Sequence, residues 1–482
     1  MSKNPLLAIY EPYFEDLNKI FGNLVKEARK HKTSATDIAH DYLSNDTRRQ
    51  HFIDELPNLS RSVIRFWKIN RNEVREEINK IPGSLARFGG DIGPHFDEHI
   101  FQKAGVYFDS IIVADPLLKI SEMHLNSLLT KRQEYYFLKY AIELLLEKEF
   151  YLLDIYPPIA VLAPDTEFSN VNNVKLIDDL SRLDITLLLN DLYGKSFDSY
   201  EEACVFLKKF NCIENAVKNI INPNLYYFDE YRDRNPLDQL DSQIEHLNKN
   251  LDYEYYGLKS NDPMFMIFYL SGRMMQINDI LLTSLNEKSN PLVTADVTYH
   301  WLEWKIKSDQ DLIQKESDHQ FNLDLTISNS LLSSKLAWLS NLDKDSLVKI
   351  RTHNYLSDLR STISKQFHQI NNPVLSNIDK AINLADKNLS AAFTNHQKEI
   401  DRINLKLKTD LLISIPTLLA SLVISLKPSV LSISPNSLGA LLPIVGTASL
   451  SSVMKQVRDY YLSKQKIDHS PIGILWKAHE KK

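Results

Sequence analysis

From Leu411 to Met454 the chain carries a single formal charge, Lys427, and no other stretch limits its folding so strongly. It reads LLISIPTLLASLVISL, then KPSVLSISPNS, then LGALLPIVGTASLSSVM: two apolar arms joined by a turn rich in proline and serine. Apolar surface of that length does not rest in water, so a bilayer or other helices must cover it.

A helix that crosses a bilayer needs about 20 apolar residues, because each residue rises only about 1.5 Å. The first arm, Leu411 to Leu426, falls short of that. The second, Pro428 to Met454, has the length but carries Pro428, Pro435, Gly439, Pro443 and Gly446. Flanking charge fits a membrane surface: Arg402, Lys406 and Lys408 precede the hairpin, and Lys455, Arg458, Lys464 and Lys466 follow it. Both ends then face the cytoplasm, with Lys427 at the tip. On this reading Leu411, Leu418, Leu419, Leu422, Leu441 and Leu442 face lipid, and Lys406, Lys408, Lys455 and Arg458 hold anionic headgroups. Ser414, Thr417, Ser421 and Ser425 form a small-residue stripe that lets helices approach closely. The alternative is a soluble scaffold in which the same hairpin is buried as the core of a helical bundle.

Elsewhere the chain is globular in composition, with 43% hydrophobic and 24% charged residues. Only 12 of its 482 residues are glycine, and between Gly257 and Gly439 there is just Gly272. Tight β-turns draw on glycine, so the C-terminal half is expected to be long helices. The net charge of −6 and the lack of a basic stripe disfavour nucleic acid as a partner. A membrane surface, through residues 411–454, and a protein partner are the expected ones. The only two cysteines, Cys204 and Cys212, are expected on one helix, too far apart for a disulfide. With no signal-peptide pattern at the N-terminus, they point to the cytoplasm, at the inner face of a membrane if the hairpin docks there.

Periodicity divides the chain into an N-terminal part (1–168), a helical middle (169–343), a long helix or helical pair (344–408) and the apolar hairpin with its basic tail (409–482). Helices fill residues 1–80, with Ser34 or Thr36 as a cap and Phe66, Trp67 and Ile69 as docking residues. Five of the 12 glycines then fall between Gly83 and Gly105, which reads as a long shaped loop interrupted by a short helix. VYFDSIIVADP and PPIAVLAPD read as parallel strands around a helix from Ser121 to Glu149, a βαβ unit in a sheet of two to four strands. PMFMIFYLSGRMMQI reads as buried core, and Ile378 to Leu407 as a coiled-coil-like seam that His396 interrupts. The expected fold class is mainly α: a multi-helix bundle with a small N-terminal βαβ element and a C-terminal apolar helical hairpin.

Two constellations offer chemistry. His95-Phe96-Asp97-Glu98-His99 fits H-x-x-E-H, and a helix begun at Pro94 would set both histidines on one face as metal ligands beside Glu98. Over about a dozen residues this string resembles the motif of the insulinase-like metallopeptidases. The resemblance implies zinc on His95 and His99, water activation by Glu98, and an acidic third ligand roughly 70 to 80 residues further on, where Asp165 and Glu167 stand. The plain alternative is a pair of surface histidines beside a glycine-rich loop. The second constellation is Asp115 and Asp165, each at the end of an expected parallel strand, where two carboxylates can hold Mg²⁺. An Asp next to a Pro also ends strands for purely structural reasons. No nucleotide-binding glycine motif, serine-hydrolase elbow or C-x-x-C pair is present. The favoured reading is therefore a non-enzymatic protein without a cofactor, whose N-terminal part senses or binds a partner and whose hairpin docks at a membrane or acts as a membrane-active effector. A metal-dependent hydrolase using Mg²⁺ or Zn²⁺ is the rival.

Overall fold

A computed structural model describes residues 3–89, 99–126, 129–164, 171–227, 235–242, 262–293, 296–313, 339 and 341–352, with scattered residues between 356 and 405 and residues 475, 476 and 479. The chain divides into two compact units, Met1–Ser340 with Ile370–Ala381, and Asn341–Gln369 with Ile382–Lys482.

The first unit is mainly helical around a small parallel sheet. Three helices open it: α1 (Leu7–His31), α2 (Ala35–Ser44) and α3 (Asp46–Lys80). Helix α1 buries Tyr10, Phe14, Leu17, Phe21 and Val25, spaced three and four apart along one face, with Tyr13 beside them. Its last turn carries Arg29, Lys30 and His31, cations placed where the helix dipole favours them. Ser34 caps α2 by accepting the Asp37 N–H, as its sequence suggests, and Asn45 caps α3 by accepting that of Arg48. Trp67 is wholly buried in α3 and Phe66 half-buried, but Ile69 lies on the solvent face, 68% exposed.

The sheet contains β1 (Leu85–Phe88), β2 (Ser110–Ala114), β3 (Ala160–Ala163) and β4 (Asn290–Leu292), in the order β3-β2-β1-β4 with every pairing parallel. Strands β2 and β3 are the two read from the sequence. Between them stand α5 (Pro116–Asn126) and α6 (Lys131–Tyr151), not one continuous helix. The break falls where Thr130 and Gln133 form a reciprocal capping box that starts α6. Within the stretch expected as a long loop with a short helix, Ile100–Ala104 forms the short helix α4, and Leu85–Phe88 forms a strand, β1, that was not expected. Gly83 turns the chain into β1 with φ of 95°, a conformation that suits glycine.

The fourth strand comes from beyond the first 168 residues, so the sheet joins both sides of that boundary. Before it come α7 (Val171–Tyr193), α8 (Tyr200–Leu207), α9 (Ile213–Lys218) and α10 (Met264–Glu287); after it comes α11 (Asp296–Ile313). Cys204 lies within α8 whereas Cys212 caps α9, so the single helix expected for them is two; both thiols are free. Helix α10 buries Phe265, Met266, Ile267, Leu270, Met274 and Ile277, as expected for core, and packs on α7, β1 and β4.

Two buried charge pairs tie these layers together. Arg87, at the middle of β1 and 1% exposed, reaches Glu287 at the end of α10 at 2.8 Å. Lys305 of α11 bonds Asp184 of α7 at 2.9 Å and Asp309 at 2.6 Å, while the Asn278 amide of α10 donates to Asp184 at 2.7 Å and to the Ser181 hydroxyl at 3.1 Å.

The second unit contains α12 (Lys344–Thr352) and a helical run at 393–403. On that run Phe393, His396 and Ile400 are the buried positions, so His396 belongs to the packed face it was expected to interrupt. Residues 411–454 and the basic residues Lys406, Lys408, Lys455 and Arg458 lie outside the described residues.

Candidate functional site

Because every strand is parallel, all four deliver their C-terminal ends to one edge of the sheet. The β2/β3 half of that edge is closed. Asp115 follows β2, and its Oδ2 accepts the Tyr13 hydroxyl at 2.6 Å and the Trp67 indole N–H at 2.5 Å. Its Oδ1 accepts the Leu117 amide at 2.9 Å, which starts α5. Beside it the Tyr10 hydroxyl donates to the Leu162 carbonyl at 2.6 Å. Helices α1 and α3 thus plug this half with aromatic side chains. Burial pushes the Asp115 carboxyl above its ordinary range, and the Tyr13, Trp67 and Leu117 donors pull it only part of the way back. Burial, and then the neighbouring Asp115, hold the Tyr13 phenol well above its own.

At the β1/β4 half the order of strands reverses: β1 leads to β2 and β3 on one side, and β4 returns to its other side. The ladder continues past β1 through the Gly89 N–H, which donates to the Leu292 carbonyl at 3.1 Å. A Cβ built on Gly89 would stand 3.4 Å from Ile280 of α10, an ordinary van der Waals contact, so α10 packs beside this end of the ladder. Helix α11 begins just after β4 ends, which brings its N-terminal amides to the same edge. Arg273 of α10 extends its Nη1 to 3.5 Å from the Thr298 hydroxyl in the first turn of α11, with its guanidinium 5.5 Å from the centre of the Tyr269 ring. Nearby, His300 stacks on Tyr227 at 4.3 Å, and the buried Trp301 indole N–H has no hydrogen-bond partner among the described residues.

Of the residues read as metal ligands or catalysts, the structure brings Asp115 to the edge but commits both its oxygens to protein donors. Asp165, His95 and Glu98 lie outside the described residues. His99 precedes α4 with a left-handed backbone (φ 50°), so the helix that was to carry it together with His95 does not extend through it. Among the described residues, no three His, Cys, Asp or Glu side chains are gathered to hold a metal ion. Gly89, Arg273 and Thr298 were missed. Only Gly89 left a signal, the run Gly89-Gly90-x-x-Gly93 directly after a four-residue strand. Comparison with family models, with curated proteins and with solved structures returns no match for this chain.

Proposed function

We propose that the protein is a non-enzymatic sensor that takes a small ligand on the sheet edge between β1 and β4 and docks at a membrane, as a membrane-active effector, through residues 411–454. The reversal of strand order between β1 and β4 carries the ligand-binding half of this reading. In open α/β sheets the chain leaves neighbouring strands in opposite directions at such a point, opening a crevice outside their C-terminal ends. The amides at the start of α11, beside which Arg273 stands, favour a ligand bearing negative charge. The membrane half rests on the amino-acid sequence: the low charge of 411–454, its leucines, and the cations Lys406, Lys408, Lys455 and Arg458 on either side. Its place is the cytoplasm, at the inner face of a membrane. Among the described residues no helix is long and apolar enough to cross one. The metal-dependent hydrolase loses support at Asp115, because a metal there would have to displace the Tyr13, Trp67 or Leu117 hydrogen bonds.

Two measurements test this. Thermal unfolding of the full chain against inorganic phosphate and a panel of nucleotides should show a rise in midpoint with at least one of them, lost in Arg273→Gln; a flat response to every member removes the anionic ligand. Flotation with anionic vesicles should carry the wild type upward and leave the Leu419→Glu/Leu442→Glu variant behind, still folded. If that variant is insoluble and the wild type ignores vesicles, the apolar segment is core and the protein is a helical scaffold.

A further inference from the structure

Helix α7 has an apolar stripe turned outward. Leu176, Leu180, Leu183 and Leu187 follow one another at spacings of four, three and four, which brings them together along one side of the helix. Leu176 is 45% and Leu183 52% exposed, and Leu180 and Leu187 are half-buried. The buried residues Ile177, Ser181, Ile185 and Leu188 lie on the other side, which meets α10 where Asn278 bonds Ser181. One flank of the stripe is occupied by α11: Lys305 holds Asp184, and the Trp304 indole donates to Asp191 at 3.3 Å. The other flank faces solvent and carries Lys175, Asp179 and Arg182, all exposed. Asp178 steadies the Arg182 guanidinium at 3.0 Å, and the guanidinium lies 5.1 Å from the centre of the Tyr200 ring. Asp179 stands one turn from Arg182 on that open flank.

We propose that this face of α7 is a self-association surface, on which a second copy of the chain packs its own α7 antiparallel about a two-fold axis between Leu180 and Leu183. Leu176 then meets Leu187 of the second copy, and Leu180 meets its Leu183, so one register closes the whole stripe. A two-fold interface must complement itself, and the charges do so here. Antiparallel helices set like flanks together, which brings Asp179 to Arg182 of the second copy and Arg182 to its Asp179. Lys175, further along, faces Thr186, so no like charges meet. A parallel pair would instead set each open flank against the α11 flank of the other copy, where the charged residues of α7 are Asp184 and Asp191, and Asp179 would gain no cation from α7. Charge complementarity therefore selects both the occupant and its direction. The inference stands apart from the ligand and membrane readings above.

Sedimentation velocity of the full chain over roughly 1–200 μM tests this, a range suited to a seam shorter than the usual stable interface of about 1,200–2,000 Å². A concentration-dependent shift from monomer to dimer is expected. Leu183→Glu, with a thermal midpoint matching the wild type, should weaken the dimer about tenfold or more. Asp179→Arg and Arg182→Asp, which leave the leucines in place, should each weaken it about fivefold or more, because each sets like charges together twice. An equimolar mixture of those two variants should associate within about twofold of the wild type, since the mixed pair regains both opposite-charge contacts. A chain that stays monomeric over the whole range overturns the proposal. So does a dimer indifferent to Leu183→Glu, or a mixture that associates no better than either charge variant alone.

Discussion

Replacing Asp115 by Asn tests how the closed half of the sheet edge is held. The carboxylate meets donors on both oxygens: Tyr13 and Trp67 on Oδ2, the Leu117 amide on Oδ1. An amide offers one acceptor and one NH₂. With the NH₂ in the place of Oδ2, the Tyr13 hydroxyl can turn to accept, but the Trp67 indole faces a donor. With the NH₂ in the place of Oδ1, the Leu117 amide does. Either orientation strands a buried donor at about 1–3 kcal/mol and makes the remaining bonds neutral, a loss of about 1 kcal/mol. Against this, Asn avoids burying a charge, a real saving because burial already holds the carboxyl above its ordinary value of 3.8. The net expectation is destabilisation by about 2–3 kcal/mol at pH 7, read from urea unfolding followed by tryptophan fluorescence. The pH dependence fixes the sign independently. A folded-state value raised above the unfolded one means the cost of the ionised form is present above the folded value and disappears as pH falls toward 3.8. The wild type then gains on the Asn variant, and the gap between them widens on acidification. A difference under about 0.5 kcal/mol, or a gap that narrows, refutes the account of this edge.

Two further perturbations probe other buried groups. Lys305→Met leaves the buried Asp184 with the Asn278 amide as its remaining described partner and should cost about 3–5 kcal/mol, whereas Lys305→Met with Asp184→Leu should recover most of it, and urea midpoints of the pair decide. Glu147 of α6 is pushed up to about 7, first by burial and then by Glu149, with Arg29 pulling the other way. Its ionised form opposes folding above that pH, so Glu147→Gln should raise the thermal midpoint at pH 8 and lose the advantage as pH falls toward 4.5; an advantage independent of pH would rule out this assignment.

What could be read from the sequence followed the sheet's own hydrogen-bonding rules. Strands β2 and β3 are SIIVA and AVLA, buried almost throughout, and a parallel strand covered on both faces reads as a continuous apolar run. Strands β1 and β4 give no such sign. LARF carries a charge at its centre, and Glu287, two hundred residues later in the chain, meets that charge at 2.8 Å. NPL contains Pro291, which argues against any strand except one at an edge, and β4 is an edge strand. His396 was misread for a similar reason: a histidine looks like a break in an apolar seam until Trp476, eighty residues later in the chain, is set against it.

These unread strands explain why Asp115 stood out in the sequence as the acid at a strand end. With β2 and β3 as the only visible strands, their C-terminal ends were the only edge on offer, and Asp115 was the acid standing there. Once β1 and β4 are added, Asp115 lies away from the reversal of strand order, and the aromatic side chains of α1 and α3 account for its carboxylate. A carboxylate that organises three donors has a structural reason to be buried and needs no ligand to explain it. At the β1/β4 end, by contrast, Gly89 continues the ladder to Leu292, an arginine reaches the first turn of a helix, and an indole N–H is left without a described partner. A buried donor without a partner is costly to a fold unless something complements it. That cost is the physical reason for looking for the ligand there.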